Sequence, residues 1–229
     1  MSTLDGPRLQ PVSGGPPRQL VIFAHGYGSN GQDLIGLAPY LARALPHALF
    51  VSPDAPDPVP GYPAGRQWFP ISRLDPHLMR LGVAGAAAVL DRFIDAELSR
   101  ASLPPSACAL VGFSQGTMMA LHVGLRRSEP LAALVGLSGM LADPAGISSR
   151  PPTALIHGDR DEVIPVQALF ASLEGLGAAG VPVMWRVCGG TGHSVSEDGL
   201  ALAVAFVQAA FAGRFKAWTG PRTREAGAS

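Results

Sequence analysis

The stretch that most constrains this chain is Gly112-Phe113-Ser114-Gln115-Gly116. Just ahead of it, Ala107 to Val111 is a short apolar run with the length of a buried strand, and just behind it Thr117 to Arg127 reads as a helix. A chain that passes from strand to helix in so few residues makes a very tight turn, with the serine at its apex in a strained conformation. Neighbouring segments then pass so close that side chains two residues either side would clash, so Gly112 and Gly116 fit there. In a chain with 28 glycines the pattern also arises by chance, and its meaning depends on what the other loops carry.

Those loops follow strands. Arg18 to Ala24 reads as a buried strand running into His25-Gly26-Tyr27-Gly28-Ser29-Asn30-Gly31. A helix over about 32–45 carries Leu34, Leu37, Ala38 and Leu41 on one face, and Ala48 to Ser52 is the next strand. From Asp54 to Pro76 the chain is crowded with prolines and holds Tyr62, Trp68 and Phe69. No regular structure is expected there, and loops of this length are usually functional. The spacing then predicts a helix over about 77–100 with Leu78, Leu81, Gly85, Val89 and Phe93 on its apolar face. Further strands are predicted at 131–137, from Ala154 into His157-Gly158-Asp159-Arg160-Asp161, and at 182–188 ahead of Gly189-Gly190-Thr191-Gly192-His193. Helices are expected at 166–178 and from Ser196, the latter with Leu200, Ala203, Val204, Val207 and Phe211 facing inward.

Strands alternating with helices imply a single α/β domain over 18–214, a mostly parallel central sheet with helices on both faces and no large lid. In such sheets ligands bind at the carboxyl ends of the strands, where all of these loops gather. Residues 1–17 are expected to form an extended or frayed arm, and 215–229 a disordered tail.

Composition excludes several classes. Lysine plus arginine balance aspartate plus glutamate at 17 each, which leaves no basic footprint for a nucleic acid. No apolar run reaches the roughly 18 residues of a membrane span. Nor does the start resemble a secretory signal. Cys108 and Cys188 both fall in predicted strands and are expected to be buried, reduced thiols of a cytoplasmic protein; they make no metal pattern.

Ser114 needs a base, and the base needs an orienting acid. Of the six histidines, His193 has small flexible neighbours and follows the serine and the acid in chain order. His25 adjoins the first glycine loop and is a candidate for ordering it; His47 and His77 sit at helix boundaries, His122 lies in the helix after the serine, and His157 stands at a strand end. Between the two candidate acids, Asp161 lies further out towards the histidine loop, whereas Asp159 is placed to cap the turn through backbone N–H groups. Glu162 reads as solvated. An oxyanion would take the backbone N–H of Gln115, at the positive end of its helix, and that of Tyr27; side-chain identity at these two positions is expected to matter less.

One other pattern competes. Gly26-Tyr27-Gly28-Ser29-Asn30-Gly31 is a literal G-x-G-x-x-G between strand and helix, and Asp54 follows the next strand, as in dinucleotide-binding folds. Against it, Asp33 would stand in the first helical turn near the pyrophosphate, and the serine turn and two later loops would have no use.

Taken together, His25-Gly26-Tyr27-Gly28, Gly112-Phe113-Ser114-Gln115-Gly116, His157-Gly158-Asp159-Arg160-Asp161 with Val163-Ile164-Pro165, and Gly192-His193 resemble the carboxylesterase/phospholipase family of α/β-hydrolases, which includes bacterial carboxylesterases and acyl-protein thioesterases. The resemblance spans about 18–212. It implies a serine hydrolase with Ser114, Asp161 and His193 as triad, Tyr27 and Gln115 as oxyanion donors, no cofactor or metal, and a small-molecule ester or thioester as substrate of a monomer or homodimer. Arg66-Gln67-Trp68-Phe69 resembles a family loop around an aromatic pair, which makes Trp68 and Phe69 candidates for an acyl-pocket wall; where the family commonly has Asp next, this chain has Pro70. The expected activity is hydrolysis of short- to medium-chain carboxylic esters. Lysophospholipase or acyl-protein thioesterase activity is the alternative, and a non-catalytic hydrolase-like or dinucleotide-binding protein the remote one.

Overall fold

Strand β2 shows how the layers arise. In the computed structural model, which describes residues 4–214, Gln19–Ala24 alternates Leu20, Ile22 and Ala24 into one apolar layer with Val21 and Phe23 into the other. A strand that is apolar on both faces has to be sandwiched between helices, and this one is.

The described elements, in chain order, are β1 (Arg8–Leu9), β2, α1 (Gly31–Leu34), α2 (Ala38–Ala42), β3 (Ala48–Val51), β4 (Asp57–Val59), β5 (Tyr62–Gln67), α3 (Pro76–Ala101), β6 (Cys108–Phe113), α4 (Gln115–Gly124), β7 (Ala133–Leu137), β8 (Thr153–Gly158), α5 (Gln167–Ala178), β9 (Val183–Cys188) and α6 (Glu197–Phe211). Seven strands form the main sheet in the order β1-β3-β2-β6-β7-β8-β9. All neighbours are parallel except β1 on β3, so the carboxyl ends of β2, β6, β7, β8 and β9 share one edge. Helices α3, α4 and α5 cover one face with Leu90, Ile94, Met118, Leu121 and Leu169. The other face is covered by α1, α2 and α6 with Leu34, Leu41, Phe206 and Val207. This is the α/β-hydrolase architecture expected from the sequence.

Four local expectations need correction. The first helix is broken: a 3-10 turn at Ile35–Leu37 separates α1 from α2, whose first turn holds Pro39, a residue without an N–H to continue a ladder. The proline-rich loop is not irregular, because β4 and β5 pair as a separate ribbon turned at Gly61 (φ 77°). In a two-stranded ribbon each strand has a free edge, so Pro58 and Pro63 need no ladder bond there.

The apolar face of α3 is rotated. Met79, Val83, Ala86, Leu90, Phe93, Ile94 and Leu98 are buried, whereas Leu78 and Leu81 are exposed. The first turns of this helix bury Met79 and Val83 on one side and turn Leu78 and Leu81 to the lining of a cleft on the other. The N-terminal arm, finally, is extended but not free. Arg8 and Leu9 pair with Val51 and Phe50, and Arg8 donates to the buried carboxylate of Glu97, which Arg100 also contacts. The expected tail at 215–229 lies outside the described residues.

Cys108 and Cys188 are buried and unpaired, and burial pushes the Cys108 thiol up to about 12. Among the described residues, no helix is long and apolar enough to cross a membrane.

His122 lies buried in α4 beside a crevice of about 130 Å³ that Asp91 of α3 also lines. Its Nδ1 has no hydrogen-bond partner, and Asp143 Oδ2 stands 3.9 Å away. Burial, reinforced by Arg126 and opposed by Asp143, pulls its pKa down to about 4. The native state therefore holds His122 neutral while the unfolded chain takes up a proton near pH 6.5. This contribution to stability is complete above pH 6.5 and is lost as pH falls towards 4, up to on the order of 3 kcal/mol. Urea unfolding at pH 7, 5.5 and 4.5 should show a steeper acid loss for the wild type than for His122→Gln.

Candidate active site

The site begins with a backbone collision avoided. A Cβ on Gly116 would stand 1.8 Å from the carbonyl oxygen of Ala24, and one on Gly112 would stand 2.3 Å from that of Gly116. Only glycines allow the first turn of α4 to press against the end of β2. Ser114, between β6 and α4, takes φ 54° and ψ −117°, a region that costs about 1–3 kcal/mol for a residue with a side chain. The surroundings hold it there. Ser114 N–H donates to Leu137 O (2.9 Å), and the buried Thr117 hydroxyl lies 2.8 Å from Gly112 O and 2.9 Å from Leu137 O while accepting from Leu137 N–H (3.0 Å).

The structure brings Ser114, Asp161 and His193 together. His193 Nε2 is 3.0 Å from Ser114 Oγ, and His193 Nδ1 is 2.8 Å from Asp161 Oδ2. Asp161 is buried, and its other oxygen accepts from the N–H groups of Val163 (3.0 Å) and Ile164 (2.8 Å). The turn cap expected of Asp159 thus falls to Asp161, and Asp159 stays exposed. The histidine loop is stitched to the acid loop by Asp159 N–H on Cys188 O and Arg160 N–H on Thr191 O. It crosses β8 so closely that a Cβ on Gly158 would stand 2.2 Å from Thr191 O. Ser138, at φ 45° on the end of β7, donates from its hydroxyl to Ser194 O at 3.2 Å and steadies the same loop.

The candidate oxyanion donors belong to the two segments nearest Ser114. Gln115 is the first residue of α4, where an N–H has no partner within the helix. A Cβ on Gly26 would stand 3.2 Å from Ser114 Cβ, which sets the Tyr27 peptide beside the serine. The G-x-G-x-x-G reading fares differently. Gly31 N–H is taken by Asp54 Oδ1 (2.8 Å) and Asp33 N–H by Asn30, so the chain's own carboxylate and carboxamide occupy the start of a helix only four residues long.

Several contributors escaped the sequence. The Gln115 side chain is fully buried and clamps the next loop: its Oε1 accepts from Trp68 N–H (2.9 Å) and its Nε2 donates to Phe69 O (2.7 Å). Its identity therefore matters, contrary to the expectation that only its backbone would. His157 Nε2 donates to Ile164 O (2.8 Å) and lies 3.3 Å from Asp161 Oδ2, so it steadies the acid. Phe113, at the end of β6, tilts its ring against His193 with centroids 5.1 Å apart. The variable position of a G-x-S-x-G pattern gives no sign that Gln115 or Phe113 has such a neighbour. A histidine just before the acid loop was the only available signal for His157.

His25 orders the first glycine loop, as its position suggested. It is buried, its Nε2 accepts from Ala55 N–H (2.9 Å), and its Nδ1 lies 2.8 Å from Gly26 O, an arrangement that needs a neutral ring protonated on Nδ1. Burial lowers its pKa in the same direction. Trp68 Nε1 donates to His25 O (2.9 Å). Trp68 and Phe69 are 2% and 4% exposed, and Phe69 packs on Gly82 of α3, so both aromatics turn into the core beneath the cleft. The cleft itself, about 460 Å³, is lined by Tyr27, Pro60, Gln67, Pro70, Ile71 and Leu78, among others.

Comparison with known proteins places the chain in a family. Residues 12–211 match the family model described as phospholipase/carboxylesterase. The chain belongs to that family. It is accordingly a carboxylic ester hydrolase with the α/β-hydrolase fold. Among its relatives, the esterase YpfH of Escherichia coli K12 is 30% identical over 194 residues, 82% of each chain. Acyl-protein thioesterase 1 of Saccharomyces cerevisiae is 30% identical over 168 residues, 66% of this chain and 74% of the yeast protein. The crystal structure of esterase PE8 superposes with a TM-score of 0.86 at 41% identity, covering 90% of this chain and 99% of that one.

The clamp yields a prediction. Gln115→Leu keeps the backbone N–H but strands Trp68 N–H and Phe69 O, each a loss of about 1–3 kcal/mol when buried without a partner. Urea denaturation should show that loss, and ester turnover should fall with it as the loop beside Tyr27 shifts. An unchanged midpoint would show the clamp to be dispensable.

Proposed function

We propose that this enzyme hydrolyses short- to medium-chain carboxylic esters through an acyl-enzyme on Ser114. The observation that carries the proposal is the unbroken line from Asp161 Oδ2 through His193 to Ser114 Oγ, with gaps of 2.8 Å and 3.0 Å. Ser114 Oγ attacks the carbonyl carbon and passes its proton to His193 Nε2. Asp161, fixed on its far oxygen by two N–H groups, keeps the imidazole in the Nδ1-protonated form and stabilises it once charged. The carbonyl oxygen becomes an oxyanion facing the N–H groups of Gln115 and Tyr27. His193 then gives the proton to the departing alcohol, and a water activated by the same ring releases the acid.

The acyl group takes the cleft beside Tyr27. Its volume of about 460 Å³ and open mouth suit short to medium chains, and the β4–β5 ribbon is too small to enclose a long lipid. The same triad would cleave thioesters, a second reading favoured by the relatives named acyl-protein thioesterase 1. The reading takes the enzyme as cytoplasmic, in keeping with its two unpaired thiols, cofactor-free, and working as a monomer or homodimer.

Ser114→Ala should abolish p-nitrophenyl butyrate hydrolysis, by about 10⁶-fold, together with covalent labelling by a fluorophosphonate. Asp161→Asn should lower kcat about 10⁴-fold. Persistent labelling of the Ser114→Ala protein would refute the assignment. A series of p-nitrophenyl acyl chains, set against the matching coenzyme A thioesters and lysophosphatidylcholine, decides the substrate class.

A further inference from the structure

Between α2 and α6 lies a second and larger groove, about 580 Å³, that the reaction as described leaves unused. Leu37 and Tyr40, from the turn and helix after the first glycine loop, form one wall. Leu200, Ala201 and Val204 of α6 form the other, and Val195, from the end of the histidine loop, also lines it. Tyr40 is 59% exposed, so an aromatic ring stands in solvent on this wall. We infer that this groove holds the alcohol portion of the ester, and that the enzyme selects substrates whose leaving group is apolar and uncharged. The inference rests on Ser114 and His193 acting as proposed above.

Three observations carry it. The first is position. Val195 follows His193 by two residues, at most about 7 Å along the chain, so one part of the groove's lining stands close to the catalytic histidine's backbone. The leaving oxygen must receive its proton from His193 Nε2, so the leaving group has to lie on the histidine side of Ser114. The Tyr27 cleft is then left for the acyl chain.

The second is continuity. The Phe113 ring that leans on His193 packs into the same apolar layer as Leu37, Val195 and Leu200. The imidazole and the groove thus border the same apolar layer of the fold. The third is charge. Glu197 stands exposed on the groove's lining, and among the described residues the lining carries no lysine or arginine. A phosphate-bearing leaving group, such as glycerophosphocholine or coenzyme A, would bring its anion up to that carboxylate. A neutral alkyl or aryl-alkyl alcohol meets no such penalty.

The test varies the alcohol with the acyl group fixed. Deacylation is blind to the departed alcohol, so kcat/KM, which reports acylation, is the quantity to read. For acetates of methanol, 1-butanol, 1-hexanol and 2-phenylethanol, alcohols of similar acidity, kcat/KM should climb about two- to fourfold per methylene. Ala201→Trp fills the groove from an exposed position and should lower the 2-phenylethyl to methyl ratio about tenfold. This ratio is insensitive to the fraction of folded enzyme. Glu197→Gln should raise kcat/KM for 4-acetoxybenzoate relative to phenyl acetate severalfold, an effect that fades with added salt.

A flat alcohol series in an active enzyme, or an Ala201→Trp variant that changes only the acyl-chain series, overturns the inference and leaves the serine mechanism standing. So does a preference for lysophosphatidylcholine over the neutral esters. Loss of every esterase activity and of fluorophosphonate labelling in the wild type would instead remove the mechanism, and the groove assignment with it.

Discussion

The contact between the first turn of α4 and the end of β2 is the constraint on which the rest of the site depends. Gly116 stands where even a methyl group would overlap the Ala24 carbonyl, so the helix starts directly against the central strand. That approach brings the N-terminus of α4 beside the His25–Gly28 turn, and with it the Gln115 N–H beside the Tyr27 peptide. It also forces Ser114 into its unusual backbone conformation, which Leu137 of the neighbouring strand and Thr117 of α4 stabilise. A looser turn would relieve the serine and separate the two donors.

Around this contact the chain satisfies its buried polar groups in a way that ties loops from distant parts of the sequence together. His25 reaches Ala55, Trp68 reaches His25, and Gln115 reaches both Trp68 and Phe69. Arg66 completes the set: its backbone pairs with Gly28 and Ser29, and its guanidinium donates to Ala55 O. Each bond removes an orphan donor or acceptor from a region where water is excluded, so the loops gain rigidity without regular secondary structure. The β4–β5 ribbon rests on this network rather than on the main sheet, and it borders the cleft beside Tyr27 from there.

On the far side of the serine the histidine loop is held by different means: backbone bonds to the acid loop, the Ser138 hydroxyl, and the Phe113 ring. The two sides of the catalytic line are therefore built independently. One is a polar-stitched cleft at the start of α3; the other is an apolar groove between α2 and α6. The proposed reading assigns the two ends of an ester, which differ in chemistry, to these two unlike clefts.

The order of strands and helices, the glycines of the serine turn, and Ser114, Asp161 and His193 were legible in the sequence, because each rests on local spacing or on chain order within a known architecture. The face of α3, the ribbon within 54–76, the pairing of Arg8 and Leu9 with β3, and the Gln115 clamp were not. In each of these the deciding partner lies far along the chain. Leu78 and Leu81 have a helix-face spacing that looks like core until the cleft beside them is known. Glu97 is buried because Arg8, nearly ninety positions earlier, reaches its carboxylate. The capping role went to Asp161 rather than Asp159 because the turn to Ile164, not proximity to the strand, sets which carboxylate faces the N–H groups. Local sequence determined which residues are the candidates for the chemistry; tertiary packing alone decided what holds them in register, since a hydrogen bond between residues tens of positions apart leaves no periodicity to read.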